Sequence, residues 1–205
     1  MRRADGRAAL RALPPGLVGA VDRLATLADR SGLGVLLVGG PVRDLLLGRA
    51  IVDVDLIVEP STPEPAPALR LAEAGRSAGE SLLAPPRFGT VTLGGPHGAI
   101  DLAGARAEHY TAPGALPQVR PATLEHDLAR RDFSVNAMAI PLNATARRGR
   151  PALVDPYGGR ADLALHRLRV LHPRSFFDDP TRALRAARLG ARLGFRLDAA
   201  SGRAL

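Results

Sequence analysis

Chemistry is first legible at Asp53-Val54-Asp55. Residues 51–58 read Ile-Val-Asp-Val-Asp-Leu-Ile-Val, which predicts a strand. Side chains two apart on a strand share a face, so Asp53 and Asp55 converge on one place. Two like charges that close require a cation between them or a shared proton. Magnesium suits them, because it takes oxygen ligands and commonly keeps substrate phosphates in its shell. Two such ions can activate an attacking hydroxyl and stabilise a departing pyrophosphate. A solvated polar face on an edge strand is the competing reading of Asp-x-Asp taken alone. The apolar flanks Ile51, Val52, Leu56, Ile57 and Val58 favour a buried strand, where unpaired carboxylates are costly.

The second feature lies just upstream. Leu33 to Val38 is an apolar run that ends in Gly39-Gly40, followed by Pro41-Val42-Arg43-Asp44. A buried strand entering a tight turn is expected, then a short helix with Pro41 in its first turn and Gly48 as its stop. Glycines there let a phosphate approach the backbone, and a helix start supplies free N–H groups and positive dipole. An ordinary strand–helix turn fits Gly-Gly equally. The spacing is neither G-x-G-x-x-G nor a Walker loop, so dinucleotide and P-loop readings lose support. Combined with the acidic strand, the order reads as a single site, with triphosphate at the helix start and metals on the adjacent strand.

The elements that must position these residues are mostly periodic. Leu17, Val21, Leu24 and Leu27 form the apolar stripe of a helix over 17–30. Residues 60–67 are Pro-rich and read as a loop, and 69–78 as a helix. Strands at 90–93 and 99–103 are joined by a Gly-Gly-Pro-His-Gly turn. Residues 104–122 carry three prolines and predict a long loop. A short helix or turn over 124–132, helical continuation over 136–140, and a basic hinge over 143–152 follow. From Asp178 to Gly194 the pattern is helical, with Asp179-Pro180 as cap and first-turn proline. The fold class expected is α+β, a small mixed sheet flanked by helices.

Composition bounds the rest. Hydrophobic residues make up 46% of the 205 and aromatics 3%, so the core must be aliphatic. The absence of Cys excludes disulfides, zinc-thiolate sites and thiol catalysis. No apolar run approaches a membrane span and no leader peptide is visible, so a cytoplasmic protein with no membrane partner is expected. Every basic residue is Arg. Residues 1–146 hold fifteen Arg and fifteen Asp or Glu, and residues 147–205 hold thirteen Arg and five Asp, which accounts for the net +8. That asymmetry suggests a polyanion lying on the C-terminal part. Arg182, Arg185, Arg188, Arg192 and Arg196 recur at three and four, as a phosphate-binding stripe or a solvated helical face. The five His show no H-x-x-x-H spacing, so a metal-phosphohydrolase domain is not indicated.

An ordered series of motifs resembles one family. Leu37-Val38-Gly39-Gly40-Pro41-Val42-Arg43-Asp44 with Asp53-x-Asp55 comes first, then Arg87-Phe88-Gly89-Thr90 and Ile100-Asp101-Leu102-Ala103. Arg106-x-Glu108-x-Tyr110 with Gly114-x-Leu116-Pro117 follows, and then the block Asp127 to Ala139, with its Arg130-Arg131-Asp132-Phe133 centre. Asp155-Pro156-Tyr157-Gly158-Gly159-x-x-Asp162-Leu163 and Asp178-Asp179-Pro180-x-Arg182 complete it. Together they resemble the class II (bacterial-type) tRNA nucleotidyltransferases and bacterial poly(A) polymerases of the polymerase-β superfamily.

The resemblance implies a nucleotidyltransferase head over 1–142 and a hinge with the start of a helical neck over 143–205. Two Mg²⁺ held by Asp53 and Asp55, with Asp101 as a third catalytic carboxylate, are implied. Gly39, Gly40 and Arg43 would meet the triphosphate. Asp132 with Arg131 would recognise the ribose 2′-hydroxyl, and Asn136 and Arg185 would join the nucleotide site. Asp179 and Arg182 would read the base of CTP or ATP, and Arg188 and Arg192 would touch RNA at a tRNA 3′ end. Physics permits each role. It equally permits a local Arg131–Asp132 ion pair, and a helix-capping Asp179 beside a solvated Arg182.

Two departures from the family pattern matter. Asp178 stands where the family has Glu, which shortens a side chain expected to orient Arg182 and would loosen base choice. The family also continues into helical body and tail regions beyond this point, so a fragment or a minimal form is expected. A poly(A) polymerase and a non-catalytic RNA-binding remnant are the other readings, and Asn136-Ala137-Met138-Ala139 favours the tRNA branch. Oligomeric state is left open by the sequence.

Overall fold

The structure, a computed structural model, describes residues 4–61, 64–85 and 89–205. Arg87 and Phe88 of the motif series lie outside the described residues. The chain divides into two compact units, Met1–Ala105 with Ala139–Val154, and Arg106–Met138 with Asp155–Leu205. This division interleaves along the chain, where a single boundary at 142/143 is expected from sequence. The class is α+β.

The described residues of the first unit contain α1 (Gly6–Ala12), α2 (Pro15–Arg30), β1 (Leu33–Val38), α3 (Gly40–Leu47) and β2 (Val54–Pro60). They continue with α4 (Pro67–Gly75), β3 (Ser81–Leu83), β4 (Thr90–Gly95) and β5 (Gly98–Gly104). Five of the strands form a mixed sheet with a sixth, Ala139–Pro141, in the order β3-β4-β5-β2-β1 and then that strand. β2 runs parallel to β5 and antiparallel to β1. The expected helical continuation over 136–140 is therefore limited to Asn136, the end of a single 3-10 turn over Ser134–Asn136, and the chain then enters the sheet at Ala139. Ile140 and Ala139 pair with Leu37 and Val38, because an apolar Ala-Met-Ala-Ile run can complete a buried sheet edge.

The stripe of α2 buries Leu17, Val21, Leu24, Ala25 and Ala28, while Leu27 sits at its half-exposed margin. On β4 and β5 alternate residues Val91, Leu93, Ile100 and Leu102 are buried, so one sheet face is core. The expected basic hinge begins instead with a buried pin. Asn143 Oδ1 accepts from Val35 N at 3.0 Å, and its Nδ2 donates to the Leu33 carbonyl at 2.7 Å and to Asp29 Oδ1 at 3.1 Å. Asp29 in turn accepts from the Ala144 and Thr145 amides.

The second unit holds the elements labelled, in chain order, β6 (Arg106–His109), β7 (Gln118–Pro121) and α5 (Leu124–Ala129). After the β8 strand already described (Ala139–Pro141) and α6 (Ala144–Arg147) of the first unit come α7 (Gly159–Ala164), β9 (Arg167–Leu168) and α8 (Ser175–Asp178). The unit ends with α9 (Thr181–Leu193), β10 (Arg196–Leu197) and α10 (Ala199–Arg203). The region expected to be a long loop is an antiparallel pair, β6 with β7. Phe133 is fully buried and bridges to Val170. The Asp162 carboxylate, 1% exposed, accepts from Ser134 Oγ at 2.5 Å, Arg167 Nε at 2.7 Å and Arg169 Nε at 2.9 Å. Gly159 lies so close to this block that a Cβ there would stand 2.2 Å from the Ser134 carbonyl oxygen.

Candidate active site

In the first unit the sheet gathers the acidic candidates. β2 begins at Val54 rather than Ile51, so Asp53 occupies the bend that enters the strand, and Val52 is 78% exposed. Of the apolar flanks, Ile51, Leu56, Ile57 and Val58 are buried as expected and Val52 is not, and between them Asp53 is exposed and Asp55 half-buried. Asp53 is open because it lies before the ladder, in the bend that precedes Val54, whereas Leu56, Ile57 and Val58 further along β2 are all buried. Asp55 is the direct register partner of Asp101 on β5. Register partners on neighbouring strands project to the same side, so these two carboxylates are cross-strand neighbours. Asp101 in turn faces Thr92 of β4, whose hydroxyl donates to Asp101 Oδ1 at 2.6 Å.

The same end of the sheet carries the glycine turn. β1 runs antiparallel to β2 with Leu37 opposite Leu56, so the chain leaves β1 at Gly39 beside the entry to β2. Gly39 has φ +73°, a conformation that glycine adopts without strain, and it caps α3. Gly48, also left-handed, closes that helix as expected. Arg43 is 4% exposed, and its Nε and Nη2 donate to Asp44 Oδ1 and Oδ2, both at 2.9 Å. Its guanidinium lies over Gly40, within 3.4 Å of where a Cβ would stand. Its charge is thus held against the backbone of the turn.

Asp53, Asp55 and Asp101 offer only carboxylate oxygens, the donor set that suits a hard divalent cation. Among the described residues no three His, Asp or Glu side chains form a metal cage by themselves. Magnesium usually takes one or two carboxylates and completes its shell with water and phosphate oxygens, so the acidic pair fits it.

The remaining candidates belong to the second unit, where two clusters form. In one, Asp132 Oδ2 accepts from Arg185 Nε at 2.8 Å, and Oδ1 accepts from Asn136 Nδ2 at 3.0 Å and Phe133 N at 2.8 Å. Three residues 132, 136 and 185, separate in sequence, are thus one hydrogen-bonded set. In the other, Arg182 is 4% exposed, donates from Nη1 to Ser175 Oγ at 2.6 Å and from Nη2 to the Arg130 carbonyl at 2.8 Å. Its Nε stands 3.6 Å from Asp179 Oδ2. Asp179 precedes the helix in an extended conformation, and its Oδ1 accepts from the Thr181 amide and hydroxyl. Pro180, not Asp179 as expected, holds the N-cap position of α9, and Asp179 bonds the first residue of the helix and faces Arg182 at once. Arg182 is buried rather than solvated. Asp178 lies 3.7 Å from Arg174, and the contacts that hold Arg182 come from Ser175 and Arg130.

Arg131 does not pair locally with Asp132. Asp127, fully buried, accepts from Arg131 Nη2 at 2.8 Å on one oxygen and from Arg130 Nη2 at 2.7 Å on the other. Burial by itself would raise the Asp127 carboxyl, but the Arg131 and Arg130 charges outweigh it and hold it below the usual carboxylate range. Arg130 also donates from Nη1 to Glu108 at 2.8 Å. Arg188 and Arg192 are exposed on α9.

Residues 35–169 match the family described as the poly A polymerase head domain. This chain belongs to that family. Among curated relatives, it is 45% identical over 166 residues to the A-adding tRNA nucleotidyltransferase of Aquifex aeolicus, spanning 80% of this chain and 19% of that one. It is 45% identical over 173 residues to the CC-adding tRNA nucleotidyltransferase of Deinococcus radiodurans, spanning 83% of this chain and 44% of that one. The solved Thermotoga maritima CCA-adding enzyme complexed with tRNA superposes with a TM-score of 0.78 at 35% identity, over 100% of this chain and 45% of that one. The chain therefore spans less than half the length of the relatives it matches.

Two residues of this chain, Asp127 and Ser175, carry contacts that the motif series did not assign. Asp127 precedes Arg130 and Arg131 by three and four, a helical spacing that already signals the pairing. Ser175 gives no such local signal, since its partner Arg182 lies on the next helix.

Proposed function

We propose that this chain is the catalytic head of a tRNA 3′-end nucleotidyltransferase, CCA-adding or restricted to CC or A. It would transfer NMP from CTP or ATP to a tRNA 3′-hydroxyl and release pyrophosphate. The observation that carries this reading is the Asp55–Asp101 register pair, with Asp53 two residues before it, at the sheet end where Gly39 and Gly40 open α3. Family membership and the names of the relatives support the substrate class.

The roles divide by chemistry. Asp53 and Asp55, with Asp101 beside them, would hold two Mg²⁺, which when bound supply charge stabilisation at the attacking and leaving oxygens. The Thr92 hydroxyl orients the Asp101 carboxylate. Gly39 and Gly40 leave the backbone open to phosphate, and Arg43 places a positive charge over Gly40. Asp132, set by Asn136 and Arg185, would accept from the ribose 2′-hydroxyl. Arg131 would face the phosphates, and Asp179 and Arg182 would present acceptor and donors to the base. Arg188 and Arg192 add exposed positive charge for RNA. A cytoplasmic location belongs to the same proposal.

The test is incorporation of each labelled NTP, offered singly with Mg²⁺, into tRNA lacking its 3′ CCA, lacking only the final A, or complete. CTP or ATP incorporation that stops at the mature end supports the reading. Long A tails would assign a poly(A) polymerase, and no incorporation by the full chain would leave only RNA binding.

A further inference from the structure

Arg182 is the residue on which base selection rests in the reading above, and a guanidinium selects a base only if its plane is held. A flexible Arg on a solvated helix would donate to any acceptor edge. In this chain the fork is held at separate nitrogens. Nη1 donates to Ser175 Oγ at 2.6 Å, Nη2 donates to the Arg130 carbonyl at 2.8 Å, and Nε faces Asp179. Two bonds from two different nitrogens fix both the position and the tilt of a planar group.

The two anchors are not equivalent. The Arg130 carbonyl is backbone at the end of α5, and a side-chain change leaves it in place. Ser175 is a side chain, fully buried at the first position of α8, seven residues before Arg182. It is a small hydroxyl among buried groups, and its one described side-chain contact is to the guanidinium. Its amide is taken by the His172 carbonyl, and its carbonyl by the Asp179 amide. The same serine thus ties Arg182 through Oγ and the backbone of Asp179 through its carbonyl, the two residues proposed to read the base. Asp178, the residue expected to orient Arg182, faces Arg174 instead.

We infer that Ser175 is the positioning residue for base selection, acting through Arg182 and Asp179. This rests on the reading that Arg182 meets the base. Without the hydroxyl, the fork keeps one hydrogen bond, to the Arg130 carbonyl, and the longer 3.6 Å contact of Nε with Asp179, so it can tilt and acceptor patterns other than those of C and A become tolerable.

The test compares Ser175→Ala, Ser175→Thr and Arg182→Ala in the full chain, with kcat/KM for single-nucleotide addition measured separately for CTP, ATP, UTP and GTP. A lost hydrogen bond to a buried charge predicts that Ser175→Ala lowers the ratio of correct to incorrect nucleotide on the order of tenfold. Ser175→Thr, which keeps the hydroxyl, should restore most of that ratio. Arg182→Ala should lower the ratio at least as far. If Arg182→Ala blurs selection while Ser175→Ala leaves the ratio within twofold, the positioning role is wrong and the base reading stands. An equal fall for all four nucleotides in Ser175→Ala, with the ratio kept, also overturns it, since that is the mark of a merely structural serine. If Arg182→Ala leaves selection intact, the base reading itself fails and the role of Ser175 goes with it.

Discussion

Replacing Asp127 by Asn would remove one charge from a fully buried, heavily bonded carboxylate of the second unit while keeping its shape. Asp127 accepts four N–H bonds, from Nε and Nη2 of Arg130 at 3.1 and 2.7 Å and from Nε and Nη2 of Arg131 at 3.3 and 2.8 Å. Asparagine keeps one accepting oxygen and turns an NH₂ toward the other guanidinium, so one cation loses its partner. Breaking a buried ion pair costs about 3–5 kcal/mol. The low end applies here, because the Arg130 and Arg131 side chains keep 18% and 17% exposure and Arg130 retains Glu108. About 3 kcal/mol corresponds to a fall in Tm of roughly 6–12 °C for a chain of this size.

The pH dependence has a definite sign. The folded-state carboxyl of Asp127 lies below its usual range, held there against burial by Arg131 and Arg130. Such a group contributes stability above its unfolded pKa and loses it as pH falls through the folded one. The gap in Tm between the parent and Asp127→Asn should therefore be full at neutral pH and shrink in acid. Circular-dichroism melts from pH 7 down to pH 3 measure it. A gap under about 2 °C at pH 7, or one that stays constant across the acid range, would refute the assignment of Asp127 as the ionised hub.

Other outcomes follow from the same geometry. Asp53→Ala and Asp55→Ala should each lower nucleotide transfer by about a thousandfold or more while melting curves stay within a few degrees of the parent, since both sites are partly open to water; a transfer assay at saturating Mg²⁺ decides. Asn143→Ala removes an acceptor from the Val35 amide and a donor from the Leu33 carbonyl at 2% exposure, and should cost about 2–4 kcal/mol in urea denaturation. Gly159→Ala must displace the Ser134 carbonyl, with a Cβ at 2.2 Å, and should cost about 1–3 kcal/mol in the same assay. Arg185→Ala frees the Asp132 carboxylate from its cation and should change the ratio of NTP to dNTP use more than the ratio between bases.

How much could be read without coordinates depended on separation along the chain. β1, the glycine turn, α3 and its Gly48 stop are legible because each signal lies within a few residues of its effect: an apolar run, a glycine pair, a first-turn proline and a closing glycine. β2 starts at Val54, three residues into the apolar run; Ile51 and Val52 are apolar, and extended chain outside a ladder looks the same in sequence. The region 104–122 looked like loop because its prolines break periodicity, yet four residues on each side of the tip suffice to pair β6 with β7. The run 136–140 read as helix because alternation cannot show in a strand buried on both faces.

The amino-acid order by itself determined the chemistry of the candidates: two aspartates two apart, glycines where a phosphate can approach, arginines placed to meet anions. These are properties of residue type and local spacing. Only the tertiary structure decided which of them meet. It set Asp101 beside Asp55 across a parallel ladder, Arg185 on Asp132 across 53 positions, and Arg182 on Ser175 and the Arg130 carbonyl. Such pairings depend on strand register and helix packing, which are settled by burying the whole apolar surface at once and leave no trace in any short stretch of sequence.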